Sequence, residues 1–490
     1  MSDVIDKKQI RVIDHFFNDK SALSKIDKQA RDDLIVFIFE LLKYKYERNL
    51  TNKMITILYR TCYLETITLE EVWEIYWNLQ SILFSNSEAF IYEGTIRDLY
   101  YHIFKGISEA LPSNYSYRSI ESRNQDLIVI ITSQVLSVGH APTVRVFDYA
   151  YALQHDLNKQ VVIINDSGMN YILNNNLNAN VKFSYVEEFE NLDIIKYKNE
   201  DLKFIQNPIK MPNIEAILGI VDDIYNLNPL IVYNIGGSNL TADYCKYFTT
   251  TASLPCSNDI PVAASKYLLL GRRVQPSDSL ELRKFLSDQI LIETEINYQY
   301  RVCSTQYSRE MWKIPQEQFL LVIVGNRLDI EITNNFLAIL DKILKNLPWC
   351  GLALVGNIQN TDRILSGIED TERLHLLGNL TDAGEFIKCC DIYLNPKRKG
   401  GGRSSFEAMN YEVPIITMPY GDVFNTCGEA FIVKTEEEIV NLIDKYYVDD
   451  IFRKKQKKLA KERATILSDI KGTLVEVIHK IIDHEEQFNG

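Results

Sequence analysis

Over residues 1 to about 115, apolar side chains recur at three- and four-residue spacing. The pattern predicts helices over 32–46, 52–62, 69–83 and 97–110. Thr68 followed by Leu69-Glu70-Glu71 gives the third of these an N-cap with acids in its first turn. Glycine is almost absent from this stretch, so an all-helical segment over 1–115 is expected, packing on the rest of the chain or on another subunit.

The pattern changes at Leu111-Pro112-Ser113-Asn114, whose turn residues mark a linker. Residues 126–133 then form a continuous apolar run, as a strand buried on both faces would. Helix 144–155, strand 160–164, helix 214–226 and strand 230–233 follow. A second alternating series begins near 318, with strand 319–324, helix 333–347, strand 351–355 and the pieces around 374–380 and 385–390. Strand and helix alternating in this way predict two doubly wound α/β domains, over 120–310 and 311–490.

The second series ends in a distinctive stretch. A short strand, 391–394, runs into Asn395-Pro396-Lys397-Arg398-Lys399-Gly400-Gly401-Gly402-Arg403-Ser404-Ser405, and a helix is expected from Ser404 to about Asn410 before a strand over 413–418. Glycines let backbone amides approach a ligand without interference from Cβ, and a helix N-terminus favours an anion. Lys397, Arg398, Lys399 and Arg403 add cationic side chains, and a phosphate ester is the expected ligand. Glu407, one turn into the helix, suits a diol, so ribose beside a diphosphate satisfies both features. A plain βα turn with solvated lysines is the bland alternative.

Other candidate positions lie at expected strand ends. The loop Val138-Gly139-His140-Ala141-Pro142-Thr143 follows the first strand at the edge where such sheets bind ligands, and His140 is the first candidate there for a ligand-contacting or catalytic side chain, a structural hydrogen-bonder being the bland alternative. Gly139 and Thr143 line the same loop. Gly236 and Gly237 follow another strand at that edge, where an ordinary tight turn is equally consistent.

Composition narrows the class. The 490 residues carry a formal net charge of -13, and no broad basic face accompanies the one basic cluster, which argues against nucleic acid as partner. Eight cysteines show no metal-ligand spacing, consistent with a reducing compartment. The N-terminus lacks the apolar core of a signal peptide and no apolar run reaches the length of a membrane span, so a cytoplasmic protein is expected. The basic run Arg453-Lys454-Lys455-Gln456-Lys457-Lys458 reads as a solvated helix face.

The segment Gly400-Gly401-Gly402-Arg403-Ser404-Ser405-Phe406-Glu407-Ala408-Met409, followed by Val413-Pro414-Ile415-Ile416-Thr417, resembles the donor site of GT-B glycosyltransferases. The resemblance covers roughly 126 to the C-terminus. It implies two Rossmann-like domains with the donor held mainly by the second, and a last helix that crosses back to the first. It also implies that Gly325-Asn326-Arg327-Leu328 carries the arginine that grips the donor diphosphate, and that Glu407 holds the ribose. Asn326 would line the cleft, and Asp422 in the Tyr420-Gly421-Asp422 turn would reach the sugar or base.

Two departures stand out. The first of two glutamates usual in retaining members is Lys399 here, and the lysine usual after the arginine is replaced by Asp329-Ile330-Glu331. Under this resemblance the protein moves a sugar from a nucleotide-diphosphate donor, UDP by family frequency, to a glycan, lipid-linked or protein acceptor, with retention favoured over inversion. No metal or other cofactor is expected, since cations and a helix dipole can neutralise the departing diphosphate. A GT-B sugar-nucleotide epimerase and a noncatalytic partner subunit are the rival readings. The helical segment offers a surface for association with a like or a different subunit.

Overall fold

The computed structural model describes residues 5–42, 47–86, 89–112, 114–137, 140–169, 187–300 and 305–489. The chain divides into two compact units, Met1–Glu293 with Val477–Gly490, and Thr294–Glu476.

Six helices open the first unit: Lys7–Asn18, Ala22–Lys25, Lys28–Leu42, Arg48–Thr61, Leu69–Ser85 and Ile96–Ala110. The last four match the expected set within a few residues, and residues 43–46 at the end of the expected 32–46 helix lie outside the described ones. Thr68 caps the Leu69–Ser85 helix in a reciprocal box with Glu71, and Thr95 caps the next with Asp98. Asp6 and Gln9 form a similar box on the first helix, which the periodicity reading passed over.

After the helices come β1 (Asn124–Thr132), β2 (Gln160–Asn165), β3 (Ile194–Tyr197), β4 (Glu200–Gln206), β5 (Pro229–Ile235), β6 (Thr250–Leu254), β7 (Tyr267–Leu270) and β8 (Ile290–Glu293). Their order is β3-β4-β2-β1-β5-β6-β7-β8, parallel except for the β3/β4 hairpin. The chain steps outward from β1 to β2, then returns to place β5 on the other side of β1. The strand order thus reverses between β1 and β5, the position at which open α/β sheets bind ligands.

The helical segment over 1–115 shares one hydrophobic core with this sheet. Trp73, Tyr76, Tyr100 and Ile103 of the helices cluster with Val129, Ile131, Ile164 and Val232 of the strands. The apolar face of the helices finds its partner in the sheet, so no boundary in packing falls at the linker. Residues from Val477 on return to this unit. There the fully buried Glu485 accepts hydrogen bonds from Tyr117 (2.7 Å) and Tyr267 (2.8 Å) and an ion pair from Lys266 (2.7 Å).

The second unit holds β9 (Phe319–Val324), β10 (Cys350–Val355), β11 (Leu374–Gly378), β12 (Ile392–Leu394) and β13 (Ile415–Ile416), all parallel in the order β11-β10-β9-β12-β13. Strand order here reverses between β9 and β12. The unit begins at Thr294, earlier than the expected 311. Glu295 is fixed to Arg463 by two bonds of 2.9 Å, and Tyr298 donates its amide to the carbonyl of Leu467.

Candidate functional site

In the second unit, the loop after β9 carries Asn326 and Arg327, and the loop after β12 carries Lys397 to Gly401, so the two flank the point of reversal. The helix that follows is Gly402–Asn410, starting two residues earlier than expected. Its N-cap, Gly401, has φ +102, and no side chain caps the first turn. Among the described residues the amides of Gly402, Arg403 and Ser404 have no backbone partner, which leaves the positive end of the helix open to an anion.

The basic residues of this loop divide sharply. Arg398 is buried and fully engaged: Nε donates to Asn395 Oδ1 (2.8 Å), Nη1 to Glu331 Oε2 (2.7 Å), and Nη2 to the Val324 carbonyl (2.8 Å) and the Tyr393 hydroxyl (2.8 Å). It ties the end of β9 to the loop after β12 and has little left for a ligand. Lys397 is exposed, with its ammonium 5.5 Å from the Tyr420 ring centroid. Arg327 sits at the N-terminus of the short Leu328–Glu331 helix and meets Glu331 at 3.2 Å. Arg403 bonds Glu407 Oε1 (3.2 Å) and the Gln299 carbonyl (3.3 Å).

Glu407, expected on the ribose, is therefore already beside Arg403, and it also lies where a Cβ on Gly384 would meet it at 3.2 Å. Ser404 shares a 2.7 Å hydrogen bond with Tyr393 and donates to the Gly401 carbonyl, and Ser405 donates to the Gly402 carbonyl (2.8 Å). Gly400 is half-buried in the loop. Asp422 donates its amide to the Lys399 carbonyl at 2.7 Å, which folds the Tyr420-Gly421-Asp422 turn back onto the basic loop.

The glycines serve packing as well as ligand access. A Cβ on Gly401 would lie 2.7 Å from Arg398 Nη2, one on Gly325 would collide with Arg398 Nη1, and one on Gly402 would meet the Tyr298 hydroxyl at 2.6 Å. Sequence reading missed Glu331, Tyr393, Asn395 and Gln299. Their roles depend on where β9 and the 294–300 segment come to lie, which no local motif records.

In the first unit, His140 takes the N-cap position of the Ala141–Tyr151 helix and Nδ1 lies 3.0 Å from Thr143 Oγ1. The fully buried Thr143 hydroxyl also accepts the Leu136 amide (2.8 Å), so it ties the loop after β1 to the start of the helix. Burial pushes the His140 imidazolium down, to about 4. Gly139 lies outside the described residues. Gly236 (φ +130) and Gly237 (φ +75) form a left-handed turn at the end of β5. The loops after β1 and β5 thus flank the reversal in this sheet, as those after β9 and β12 do in the other. Among the described residues, no group of three or more His, Cys, Asp or Glu side chains is placed to hold a metal, and no helix is long and apolar enough to cross a membrane.

Residues 305–463 match the family Glycosyl transferases group 1. No curated protein matches the chain. Among solved structures, a mutant O-GlcNAc transferase from Thermobaculum terrenum aligns over 94% of this chain and 86% of its own, with TM-score 0.62 and 14% identity. Anabaena HepE in complex with UDP covers 72% of this chain and 99% of its own (TM-score 0.53, 12% identity). Sucrose-phosphate synthase from Thermosynechococcus elongatus covers 74% and 100% (TM-score 0.51, 13% identity). The fold is GT-B, and the match to the group 1 glycosyltransferase model lies within its second unit.

Proposed function

We propose that the protein is a glycosyltransferase that takes a sugar from a nucleotide-diphosphate donor, UDP-linked, without a metal. The open N-terminus of the Gly402–Asn410 helix, set at the strand-order reversal beside Arg327 and Arg403, carries this reading. The donor diphosphate lies on the amides of Gly402 to Ser404, with Arg327 and Arg403 supplying charge-assisted hydrogen bonds. Glu407 takes the ribose hydroxyls and keeps Arg403 oriented. In the reaction the bond from the anomeric carbon to the diphosphate breaks, a bond from that carbon to an acceptor oxygen forms, and the acceptor hydroxyl's proton passes to the departing diphosphate. The helix dipole and arginines stabilise the charge on the leaving group.

The environment of His140 disfavours a general base. A base works best with a pKa near the operating pH, and burial holds the His140 imidazolium well below it, at about 4. This supports retention. The acceptor is a glycan, a lipid-linked saccharide or a protein, and the site of action is the cytoplasm.

The test is incubation with UDP-glucose, UDP-galactose and UDP-N-acetylglucosamine, followed by product analysis. Release of UDP with free or transferred sugar, and an anomeric proton coupling that matches the donor, is expected. A rearranged nucleotide sugar as sole product would support an epimerase instead, and inertness toward every donor would support a noncatalytic subunit.

A further inference from the structure

A directed chain of hydrogen bonds joins the helical segment to the ligand edge of the first sheet. Gln80 Nε2 lies 2.8 Å from the Tyr76 hydroxyl, that hydroxyl lies 2.5 Å from Ser238 Oγ, and Ser238 Oγ lies 2.9 Å from the Val262 carbonyl. A carbonyl only accepts, so Ser238 donates to Val262, Tyr76 donates to Ser238, and Gln80 donates to Tyr76. Each hydroxyl is satisfied in both roles, and Tyr76 and Ser238 are both buried. Tyr76 is further fixed by stacking on Trp73, centroids 5.2 Å apart and planes within 9°.

What this chain holds is an unusual backbone. Gly236, Gly237 and Ser238 have φ of +130°, +75° and +26° in succession. Two glycines adopt such angles readily, but Ser238 has a Cβ and does so at a cost that surrounding contacts must offset. Its amide is tied to the same Val262 carbonyl at 2.8 Å. The loop follows β5 at the strand-order reversal, where ligand contacts are expected. A second bond from the same helix, Trp73 Nε1 to the Gly168 carbonyl at 2.7 Å, fixes the neighbouring loop after β2. Asn239 extends the same framework to Ser133 (3.0 Å) at the end of β1.

We infer that Tyr76 is a positioning residue. It holds the Gly236–Ser238 turn in its left-handed form and makes the helical segment part of the site on the first unit that meets the sugar or its acceptor. Tyr76 touches no ligand itself and acts through Ser238. The catalytic side of this inference rests on the proposed glycosyl transfer, whereas the clamp rests on geometry alone.

The test compares Tyr76→Phe, Ser238→Ala and the double variant in the full chain. Hydrogen exchange at 236–239 is read beside the melting temperature, UDP affinity by calorimetry, and kcat and KM for UDP-sugar hydrolysis. Faster exchange at 236–239 is expected, with global melting within a few degrees of wild type. UDP affinity should stay unchanged and kcat fall at least fivefold in each variant, the double variant being no worse than the worse single one. Wild-type exchange at the turn would overturn the inference, as would a loosened turn with unaltered kcat or a loss of kcat that follows global melting. Should Tyr76→Phe fail to fold, Ser238→Ala carries the same readouts. Should the wild-type protein neither bind UDP nor hydrolyse any UDP-sugar, the proposed function falls, and the exchange measurement alone decides the clamp.

Discussion

Arg398 and Glu331 form a buried ion pair, Nη1 to Oε2 at 2.7 Å, with side chains only 4% and 9% exposed. Glu331 also meets Arg327, so one carboxylate stands between two arginines that look alike in the sequence. One of them is a structural tie between β9 and the loop after β12, and the other stands at the mouth of the site. Substitution separates these roles. Arg398→Ala removes the donor from Glu331 Oε2, the Val324 carbonyl and the Tyr393 hydroxyl, leaving Glu331 only its bond from Arg327. Removing one partner of a buried pair costs about 3–5 kcal/mol. The variant is expected to melt far below wild type, as read by circular dichroism, whereas Arg327→Ala should melt close to it.

Glycine positions give a graded prediction. At Gly421, with φ +73, a Cβ would collide with the carbonyl of Arg398, and at Gly356, with φ +129, it would collide with the carbonyl of Gly325. Backbone cannot yield as a side chain can, so Gly421→Ala and Gly356→Ala should each destabilise by more than about 2 kcal/mol. Gly428, at φ +81 and ψ -176, has open space around its Cβ position, so Gly428→Ala should pay only the conformational cost, about 1–3 kcal/mol, and fall below the other two. Denaturant melts of the three variants check the ranking.

Deletion of residues 1–115 is expected to unfold the first unit. The Tyr100 hydroxyl donates to Asp243 at 2.5 Å, and this fully buried carboxylate otherwise holds the Ala264 amide and the Ser265 hydroxyl. Deletion would strip that bond and expose the sheet face that Trp73 and Tyr76 cover. A fragment of residues 116–490 should lack the cooperative thermal transition of the first unit. A fragment that melts at the wild-type temperature would show the helices to be dispensable for folding.

Depression of the His140 imidazolium from 6.5 to about 4 has a definite sign. The neutral ring is favoured in the folded state, so its contribution to stability is complete above 6.5 and is lost as pH falls toward 4. Hydrolysis of a UDP-sugar should therefore show no ionisation of His140 between about pH 5 and 8. A limb near 6.5 that disappears in His140→Ala would make His140 a titrating base.

The fold was legible in the sequence wherever one segment carries its own pattern. The continuous apolar run at 126–133 could only be an inner strand, and Phe319–Val324 was placed to the residue. The short strands β6, β7 and β8 escaped, because four- and five-residue apolar pieces in an irregular stretch have no periodicity to read. At the candidate site, the glycine loop and the helix it opens were visible locally. Which cations face a ligand was not: Lys397, Arg398 and Arg403 differ only in what β9, Gln299 and Glu407 bring to them. Whether the helices join the rest of the chain or another subunit was left open for a similar reason, since the shared core of Tyr76, Tyr100 and Val232 is made by contacts distant in sequence.

Calorimetric titration of UDP into wild-type protein and into Arg327→Ala and Arg403→Ala tests the central claim most directly. Saturable binding to wild type is predicted, weakened in each variant by about 1–3 kcal/mol, the worth of a charge-assisted hydrogen bond to phosphate. Folded variants that bind UDP as tightly as wild type, or a folded wild-type protein with no affinity for UDP, would contradict a donor site at the Gly402–Asn410 helix.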